Sequence, residues 1–330
     1  MPGGVAVTEE TLFDLASVSK PVVACTLARL VARGQMALET PLGSLVAAAR
    51  GTASEHVPLE LFLAHRAGLE RHRPLFAPVL SGRVIHREQA LTEAARARRP
   101  DCPGLPAQDG FPPLYSDLGY LMVGAAIEGA TGKPLDQVID EEVTRPLSLA
   151  LGSARLLREA RASFDRDVAP TEVIPARGGC VRGVVHDENA WALSGHGASG
   201  HAGLFGTIGA VLGFGVALLD AHAGTSGWLT REALEPLVRR RAGGTLRAGF
   251  DGKSDGMSSA GTLSGPDTFG HLGFTGTSLW CDPGAGIAFA LLTNRAYPTR
   301  DNSRIRAARP VVHDALFEAG RALLPGPPNP

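Results

Sequence analysis

The stretch LFDLASVSKPVVA (residues 12–24) places a serine and a lysine three positions apart at the start of an apolar, helix-like pattern. The chain contains only three lysines, and the basic residues that follow within this pattern are Arg29 and Arg33. Lysine differs from arginine because burial can remove its proton and make it a base, which arginine does not do. The choice of lysine at position 20 therefore predicts a base beside Ser17.

Residues 17–33 carry apolar side chains at helical spacing and end at Gly34, which predicts a helix. Pro21 lies in its first turn, where the missing N–H costs little. Because residues three apart share one face of a helix, the Ser17 hydroxyl and the Lys20 amine are expected to meet. A serine needs such a base to act as a nucleophile, and the helix N-terminus adds partial positive charge where an oxyanion would form. The alternative is a serine that only caps the helix, followed by a lysine at the surface.

Composition and charge exclude several classes of protein. A length of 330 residues allows a large core or two lobes, and a net charge of −1 gives no attraction to nucleic acid or anionic lipid. No apolar run is long enough to span a membrane, and residues 1–12 lack the basic and apolar regions of a secretion signal. We therefore expect a cytoplasmic protein by default, and free thiols, because its four cysteines show no paired spacing.

The rest of the pattern predicts a helical middle and a strand-rich end. The last part of the chain alternates and breaks at glycines and at Pro283-Gly284, which is typical of consecutive strands joined by turns. His65 precedes a turn at Gly68 and is expected to cap a helix end. The predicted helices are 57–64, 117–131, 202–220 and 303–322, and the predicted strands are 269–275, 277–282 and 286–293.

Further motifs carry a resemblance to a known family. PLYSDLGY (113–120) places Tyr115, one of three tyrosines, just before a helix, and GHLGFTG (270–276) begins the strand block. Together with FDLASVSKPVVA, LFLAHRAGL and IAFALLTNR, these motifs follow in order along nearly the whole chain. In that order they resemble the serine β-lactamase and penicillin-binding-protein superfamily, specifically its β-lactamase-related hydrolase and esterase branch. VHDENAWALSGHGASGHAGLFGT (185–207) is similar to a signature of one subgroup of that branch.

The resemblance implies a role for each matching residue. Ser17 would be the acylated nucleophile, Lys20 its proton partner, and Tyr115 the second base, which passes a proton to the leaving group. The backbone N–H groups of Ser17 and Phe274 would form the oxyanion hole for a tetrahedral intermediate. No metal or organic cofactor is required. The residues that would contact substrate are Asp117, His271 and Gly273.

The resemblance also implies an α/β (α+β) fold in a single domain, residues 1–330, with two lobes. A mostly helical lobe would cover about 40–200, and an antiparallel sheet flanked by helices would be built from about 1–39 and 201–330. Relatives have a helix and two strands before the nucleophile helix, and sixteen residues before Ser17 cannot hold them. We therefore expect this sequence to lack that helix and those two strands. Either the sequence starts too late, or the protein is a degraded relative or one that a second copy completes in a dimer. The last strand would then be an open edge that favours a homodimer.

Two residues depart from the common pattern of the family. Asp117 stands where many relatives have asparagine; it cannot donate an amide hydrogen bond, and its charge would pair with Lys20 or hold the pKa of that lysine up. His271 replaces a lysine that helps to bind the β-lactam carboxylate, and a histidine is mostly neutral above its ordinary pKa of about 6.5. Both changes argue against efficient β-lactamase action and leave acyl transfer intact.

Other candidate sites have weaker support. His196 and His201 in GHGASGHAG suggest a metal, but no carboxylate or cysteine stands at ligand spacing, so a turn beside the cleft is expected. His186-Asp187 suggests a Ser-His-Asp triad, but the Gly-x-Ser-x-Gly pattern of such enzymes does not surround Ser17, where Leu15 and Ser19 stand at the two glycine positions. A structural hydrogen-bonding role is expected for His186, Asp187 and Asn189.

Three functions stay open on the sequence. The first is a serine hydrolase that forms an acyl-enzyme on Ser17, with esters or peptide-like amides as substrates. The second, with the same chemistry, is a β-lactamase or D-alanyl-D-alanine carboxypeptidase. The third is a non-catalytic binding or scaffold protein that has kept the motifs. The sequence also leaves open whether Lys20 or Tyr115 is the principal base, because a coupled pair titrates together.

Overall fold

The computed structural model describes residues 6–324, in which helices surround small antiparallel sheets, as expected for the fold class. The strands are β1 (Phe13–Asp14), β2 (Leu151–Ser153), β3 (Glu172–Ile174), β4 (Gly179–Val181), β5 (Leu204–Gly206), β6 (Asp251–Gly252), β7 (Phe269–Leu272), β8 (Ser278–Asp282) and β9 (Ile287–Leu291). The helices are α1 (Ser19–Ala32), α2 (Leu42–Leu45), α3 (Leu59–Leu63), α4 (Ala77–Leu80), α5 (Arg87–Arg96), α6 (Asp117–Thr131), α7 (Leu135–Ile139), α8 (Ala154–Ala160), α9 (Phe164–Asp167), α10 (Glu188–Ser194), α11 (Ile208–Ala223), α12 (Arg231–Val238) and α13 (Ile305–Leu323). Single 3-10 turns lie at Ala16–Val18, Ala47–Ala49 and Pro175–Arg177, and a π-helical turn lies at Asp140–Thr144.

The end of the chain forms a four-stranded antiparallel sheet in the order β6-β7-β8-β9. Successive side chains of a strand point to opposite faces. On β8, Leu279 and Cys281 lie against Gly215 of α11, whereas Trp280 lies with Phe317 of α13 on the other face. Helices therefore cover both faces of this sheet, which accounts for the nearly continuous apolar character of β8 and β9.

A second, three-stranded sheet joins the start of the chain to its middle. β5 pairs with β1 on one side and with β2 on the other, so Phe13 lies opposite Gly206. The predicted helix over 202–220 is wrong at its beginning, because Leu204–Gly206 is the central strand of this sheet. The helix begins only at Ile208, where the Thr207 side chain accepts a hydrogen bond from the Ala210 N–H and caps it.

The predicted elements at the end of the chain hold within a few residues, with one informative difference. β7 ends at Leu272, three residues earlier than predicted, because residues 273–277 form a tight turn. The Gly273 N–H donates to the Thr277 carbonyl oxygen at 2.7 Å, and Gly276 adopts a φ of +106°, which favours glycine. This turn brings residues 273–277 alongside the segment that precedes α1.

The largest hydrophobic cluster runs through most of the molecule. It includes Leu27 of α1, Phe62 of α3, Phe214 of α11 and Leu279 of β8. The core therefore includes both the predicted helical lobe, 40–200, and the rest of the chain. The division of the chain into two lobes stays a prediction.

Candidate active site

Ser17 lies in the 3-10 turn that leads into α1, directly after a residue in a strained conformation. Ala16 has a φ of 47°, a left-handed value that costs a non-glycine residue about 1–3 kcal/mol unless its surroundings impose it. The buried carboxylate of Asp14 supplies such a restraint. Its Oδ1 accepts the Ala16 N–H at 2.8 Å, and its Oδ2 accepts the His186 N–H at 2.6 Å. One carboxylate therefore ties the serine turn to the segment that precedes α10.

The Lys20 amine is fully buried and meets four oxygen atoms. Its Nζ lies 2.8 Å from Ser17 Oγ, 2.6 Å from Tyr115 Oη, 2.8 Å from Asp117 Oδ1 and 3.2 Å from the His201 carbonyl oxygen. Tyr115 Oη also lies 2.8 Å from Ser17 Oγ. The structure thus brings the three predicted catalytic side chains together in one hydrogen-bonded triangle.

The charges in this triangle follow from burial and from Asp117. Burial lowers the pKa of Lys20, but the Asp117 carboxylate and the Tyr115 hydroxyl outweigh it and raise that pKa above its ordinary value. Burial raises the pKa of Tyr115, and the nearby Lys20 only partly opposes this. At neutral pH the resting site therefore holds an ammonium group, a neutral phenol and a serine hydroxyl.

Tyr115 is held by the start of α6 and by His65. The Ser116 side chain accepts the Gly119 N–H as the cap of α6, and its hydroxyl donates to the Glu70 carbonyl oxygen at 2.6 Å. The Ser116 N–H donates to His65 Nδ1 at 3.0 Å, and the His65 ring centroid lies 4.7 Å from that of Tyr115. The prediction that His65 caps a helix end is confirmed: it follows α3 with a left-handed φ of 59°, and its N–H donates to the Phe62 carbonyl oxygen at 3.2 Å. Its ring is in addition turned toward the tyrosine segment.

The turn over residues 273–277 docks on the backbone that precedes Ser17. Thr275 Oγ1 donates to the Asp14 carbonyl oxygen at 2.7 Å, and Thr277 Oγ1 donates to the Leu15 carbonyl oxygen at 2.9 Å. A Cβ atom on Gly273 would lie 2.5 Å from that same Leu15 oxygen, so only glycine allows this close approach.

The two backbone groups predicted for the oxyanion hole are available as donors. Within residues 6–324, neither the Ser17 N–H nor the Phe274 N–H donates to a protein acceptor. Phe274 itself is 45% exposed, beside the docked turn. A free N–H at each position fits the predicted function of stabilising a developing negative charge.

His271 and Gly273 lie on the strand and turn beside this triangle. The His271 ring is buried, 6.0 Å from the Tyr115 ring, and its Nδ1 donates to the Leu272 carbonyl oxygen at 2.8 Å. Burial, together with the charge of Lys20, lowers the pKa of His271 to about 3. The ring is therefore neutral at physiological pH and supplies no positive charge for a substrate carboxylate.

The histidines between 185 and 203 have separate partners. His196 Nδ1 lies 3.0 Å from an Arg158 nitrogen, whereas His201 contacts Ser199 and Asp187. No group of three histidine, cysteine, aspartate or glutamate side chains that could hold a metal ion occurs in residues 6–324.

The predicted structural hydrogen-bonding role of His186, Asp187 and Asn189 is confirmed. Asp187 accepts the Ala190 N–H and caps α10, while the Asn189 amide oxygen accepts the Phe76 N–H. His186 fulfils the role through its backbone N–H, which donates to Asp14, whereas its ring nitrogens make no hydrogen bond within residues 6–324. The ring instead stacks on Phe274, with centroids 5.3 Å apart.

Comparison with known proteins gives relatives and fold neighbours that are named as hydrolases or as penicillin-binding protein homologues. A putative D-alanyl-D-alanine carboxypeptidase from Escherichia coli O157:H7 is 26% identical over 339 residues, which span 96% of this chain and 75% of that protein. The solved structure of EstCE1, a hydrolase with promiscuous acyltransferase activity, has a TM-score of 0.64 at 22% identity, over 91% of this chain and 85% of that one. The octameric penicillin-binding protein homologue from Pyrococcus abyssi has a TM-score of 0.65 at 18% identity, over 93% of this chain and 67% of that one.

This fold and these relatives define a hydrolase of the penicillin-binding-protein and β-lactamase class. A family model described as Beta-lactamase matches residues 1–313, so the chain belongs to the Beta-lactamase family. No helix within residues 6–324 combines the length and the apolar character needed to cross a bilayer.

Asp14→Asn tests the restraint on the serine turn. Burial raises the pKa of Asp14 from 3.8 to about 6, so the folded protein holds a proton that the unfolded chain has released. The stabilisation that comes from this retained proton on Asp14 is fully present at pH values below the unfolded pKa of 3.8 and is lost as the pH rises through about 6. We expect the free energy of unfolding of the wild type, relative to D14N, to fall by about 2 kcal/mol between pH 4 and pH 7.

Urea unfolding of both proteins over this pH range measures the difference. D255N, which changes an exposed aspartate, should show no such trend relative to the wild type. A constant difference between wild type and D14N would contradict a raised pKa at Asp14.

Proposed function

We propose that this protein is a serine hydrolase that forms an acyl-enzyme on Ser17 and acts on esters or peptide-like amides. One observation carries the proposal: Ser17 Oγ lies 2.8 Å from both Lys20 Nζ and Tyr115 Oη, within direct reach for proton transfer. A serine that merely capped the helix would need neither a buried amine nor a phenol.

The geometry supports a two-step reaction. The pair first loses one proton to solvent, which leaves the Lys20 amine unprotonated. Ser17 Oγ then attacks the substrate carbonyl carbon while its proton passes to the Lys20–Tyr115 pair, and the N–H groups of Ser17 and Phe274 stabilise the oxyanion. The tetrahedral intermediate collapses, and the leaving alcohol or amine takes a proton by way of Tyr115. Water then attacks the acyl ester on Ser17, with the same pair accepting its proton, and the carboxylic acid is released.

A second candidate is a D-alanyl-D-alanine carboxypeptidase or β-lactamase, which the names of the curated relatives favour. Two residues of the site weigh against it. Asp117 offers a carboxylate, not an amide donor, and its Oδ1 is already paired with Lys20. The neutral His271 supplies no charge for the terminal carboxylate of such a substrate. Esters therefore rank above β-lactams as expected substrates.

Labelling with a fluorophosphonate probe tests the nucleophile. We expect intact-protein mass spectrometry to find one adduct per chain, which peptide mapping places on Ser17 and which is absent from S17A. Circular dichroism and thermal unfolding of S17A establish that the fold is unchanged. No adduct on folded wild-type protein would overturn the enzymatic proposal and favour a non-catalytic binding protein.

A panel of three substrates then separates the candidates, with S17A as the blank. Hydrolysis of p-nitrophenyl esters without turnover of nitrocefin or of a peptide that ends in D-alanyl-D-alanine supports the ester hydrolase. Release of D-alanine at a higher kcat/KM than ester hydrolysis would overturn that ranking and support the carboxypeptidase.

Asp117→Asn tests the part played by the lysine charge. Without the carboxylate, burial dominates and lowers the pKa of Lys20, so the unprotonated amine forms at lower pH. We expect the acid limb of the pH profile for Ser17 acylation to move roughly one pH unit or more to lower pH. E141Q is the control, because Glu141 pairs with Lys133 at the surface, 2.7 Å away. An unmoved limb in D117N would contradict Lys20 as the titrating base.

We also propose that the free edge of β9 pairs with β9 of a second copy of this chain. Within residues 6–324, β9 pairs only with β8, and helices cover both faces of the strand. IAFAL carries no charged residue to discourage pairing at that edge. A penicillin-binding protein homologue among the fold neighbours is octameric, which supports self-association.

Sedimentation velocity and amide hydrogen exchange over a range of concentrations test this pairing. We expect a dimer, with the β9 amides that point away from β8 protected in the dimer and exposed on dilution to the monomer. A dimer in which these amides exchange freely would place the interface elsewhere. A monomer at all concentrations would contradict the proposal.

A further inference from the structure

His201 contacts Lys20 through its backbone carbonyl group and the partly buried carboxylate of Asp187 through its side chain. Its carbonyl oxygen lies 3.2 Å from Lys20 Nζ. Its ring, only 2% exposed, lies between Ser199 Oγ, 3.0 Å from Nδ1, and Asp187 Oδ1, 2.8 Å from Nε2. Because a carboxylate only accepts, Nε2 carries the proton and donates it to Asp187. The side chain therefore fixes the position of its own carbonyl group.

The partners of His201 are themselves held in place. Asp187 Oδ1 also accepts the Ala190 N–H at the start of α10. Gly200 lies so close to α6 that a Cβ atom on it would be 1.7 Å from the Tyr120 carbonyl oxygen. The His201 carbonyl oxygen thus occupies a position set both by the hydrogen-bonded ring and by backbone contact with α6.

Two of the four neighbours of Lys20 can act only as hydrogen-bond acceptors. These are Asp117 Oδ1 and the His201 carbonyl oxygen, whereas the Ser17 and Tyr115 hydroxyls can also donate. A neutral lysine amine has two N–H groups and one lone pair. When Asp117 and His201 accept both N–H groups, the lone pair is directed at the two hydroxyls, which is the geometry that a base needs to accept the serine proton.

We propose that His201 and Asp187 are positioning residues for the base, and that they act by holding the His201 carbonyl oxygen where it orients the Lys20 amine. This inference rests on the proposed acylation of Ser17. Within residues 6–324, the imidazole hydrogen-bonds to Ser199 and Asp187 and not to Ser17 or to the docked turn that carries Phe274, so its proposed effect reaches the reaction through Lys20. Without the ring, the carbonyl group rotates more freely, and the amine spends less time with its lone pair toward the hydroxyls.

His201→Ala removes the ring, and His201→Gln returns an amide N–H that can donate to Asp187. We expect H201A to lower the first-order rate of Ser17 acylation by p-nitrophenyl acetate roughly 10- to 100-fold, with KM changed less than about twofold. H201Q should recover most of this loss. H196A is the matched control, since His196 belongs to the same segment and contacts Arg158 at the surface; its rate should equal that of the wild type.

Asp187→Asn is the milder variant if H201A does not fold. Asparagine keeps an oxygen for the Ala190 N–H and for His201 but replaces a charge-assisted hydrogen bond with a neutral one. We expect a loss of roughly three- to tenfold in acylation rate, again with KM nearly unchanged. A thermal unfolding midpoint for each variant separates loss of fold from loss of positioning.

Nuclear magnetic resonance of lysine labelled with ¹³C at Cε gives a readout that does not need activity. The chain has three lysines, so Lys133 and Lys253 serve as internal references. In the wild type, the two Hε protons of Lys20 should have separate shifts because the buried side chain is held in one rotamer. In H201A they should move toward a single shift, and in H201Q they should stay apart.

The outcomes distinguish this inference from the proposed function. Wild-type labelling at Ser17, together with unchanged acylation and unchanged Lys20 shifts in H201A, would overturn the inference and leave the hydrolase intact. A wild type that no probe acylates would overturn the hydrolase. The Lys20 shifts of H201A would then still decide whether His201 orients the amine.

Discussion

The complete burial of the Lys20 side chain is the constraint on which the rest of the site depends. Transfer of an unpaired ammonium group into a protein interior costs several kcal/mol, so every neighbour of Lys20 has to supply an oxygen at hydrogen-bond distance. Asp117 does so from the first turn of α6, Tyr115 from just before that helix, and His201 from its backbone. The same requirement explains why an aspartate is tolerated at position 117, because its charge balances that of the lysine.

The segment 185–203 connects this lysine to the strained serine turn. Asp14 accepts the N–H of Ala16 in the serine turn and the N–H of His186 in this segment. Asp187 accepts a hydrogen bond from the ring of His201, 14 residues further along the same segment. Two carboxylates, the buried Asp14 and the partly exposed Asp187, thus restrain both the proposed nucleophile and its proposed base. Neither carboxylate contacts the serine oxygen, so both contribute by geometry and by charge at a distance.

Local patterns predicted the parts of the site that lie close together in sequence. Helical spacing placed Ser17 beside Lys20, and the bounds predicted for α6 are those observed, because its cap at Ser116 and its end at Gly132 are both strong local signals. The predicted helix over 202–220 failed at Leu204–Gly206, since a strand of three residues has no detectable period and exists only through its partners β1 and β2.

Long-range contacts account for what the sequence could not provide. The His201 carbonyl group is 181 positions from Lys20, and a backbone oxygen carries no residue-specific signal. Asp14 resembles an ordinary strand residue until the His186 N–H, 172 positions away, is brought to it. His65 likewise acquires its function only when Ser116 lies against its ring. The proposed reacting groups come from the resemblance to a known family, and the structure added the residues that hold them.

The assembly of the lysine site from three distant segments has a consequence for how the chain folds. Its contacts close loops of 95 or more residues between the α1 region and residues 115, 117 and 201, and such contacts form only after much of the chain has ordered. A partly folded chain can contain the Ser17–Lys20 turn without the phenol or the carbonyl group. The proposed reactivity of Ser17 would therefore require the completed fold, and a serine-directed reagent added during refolding would label only the molecules that have reached the native state.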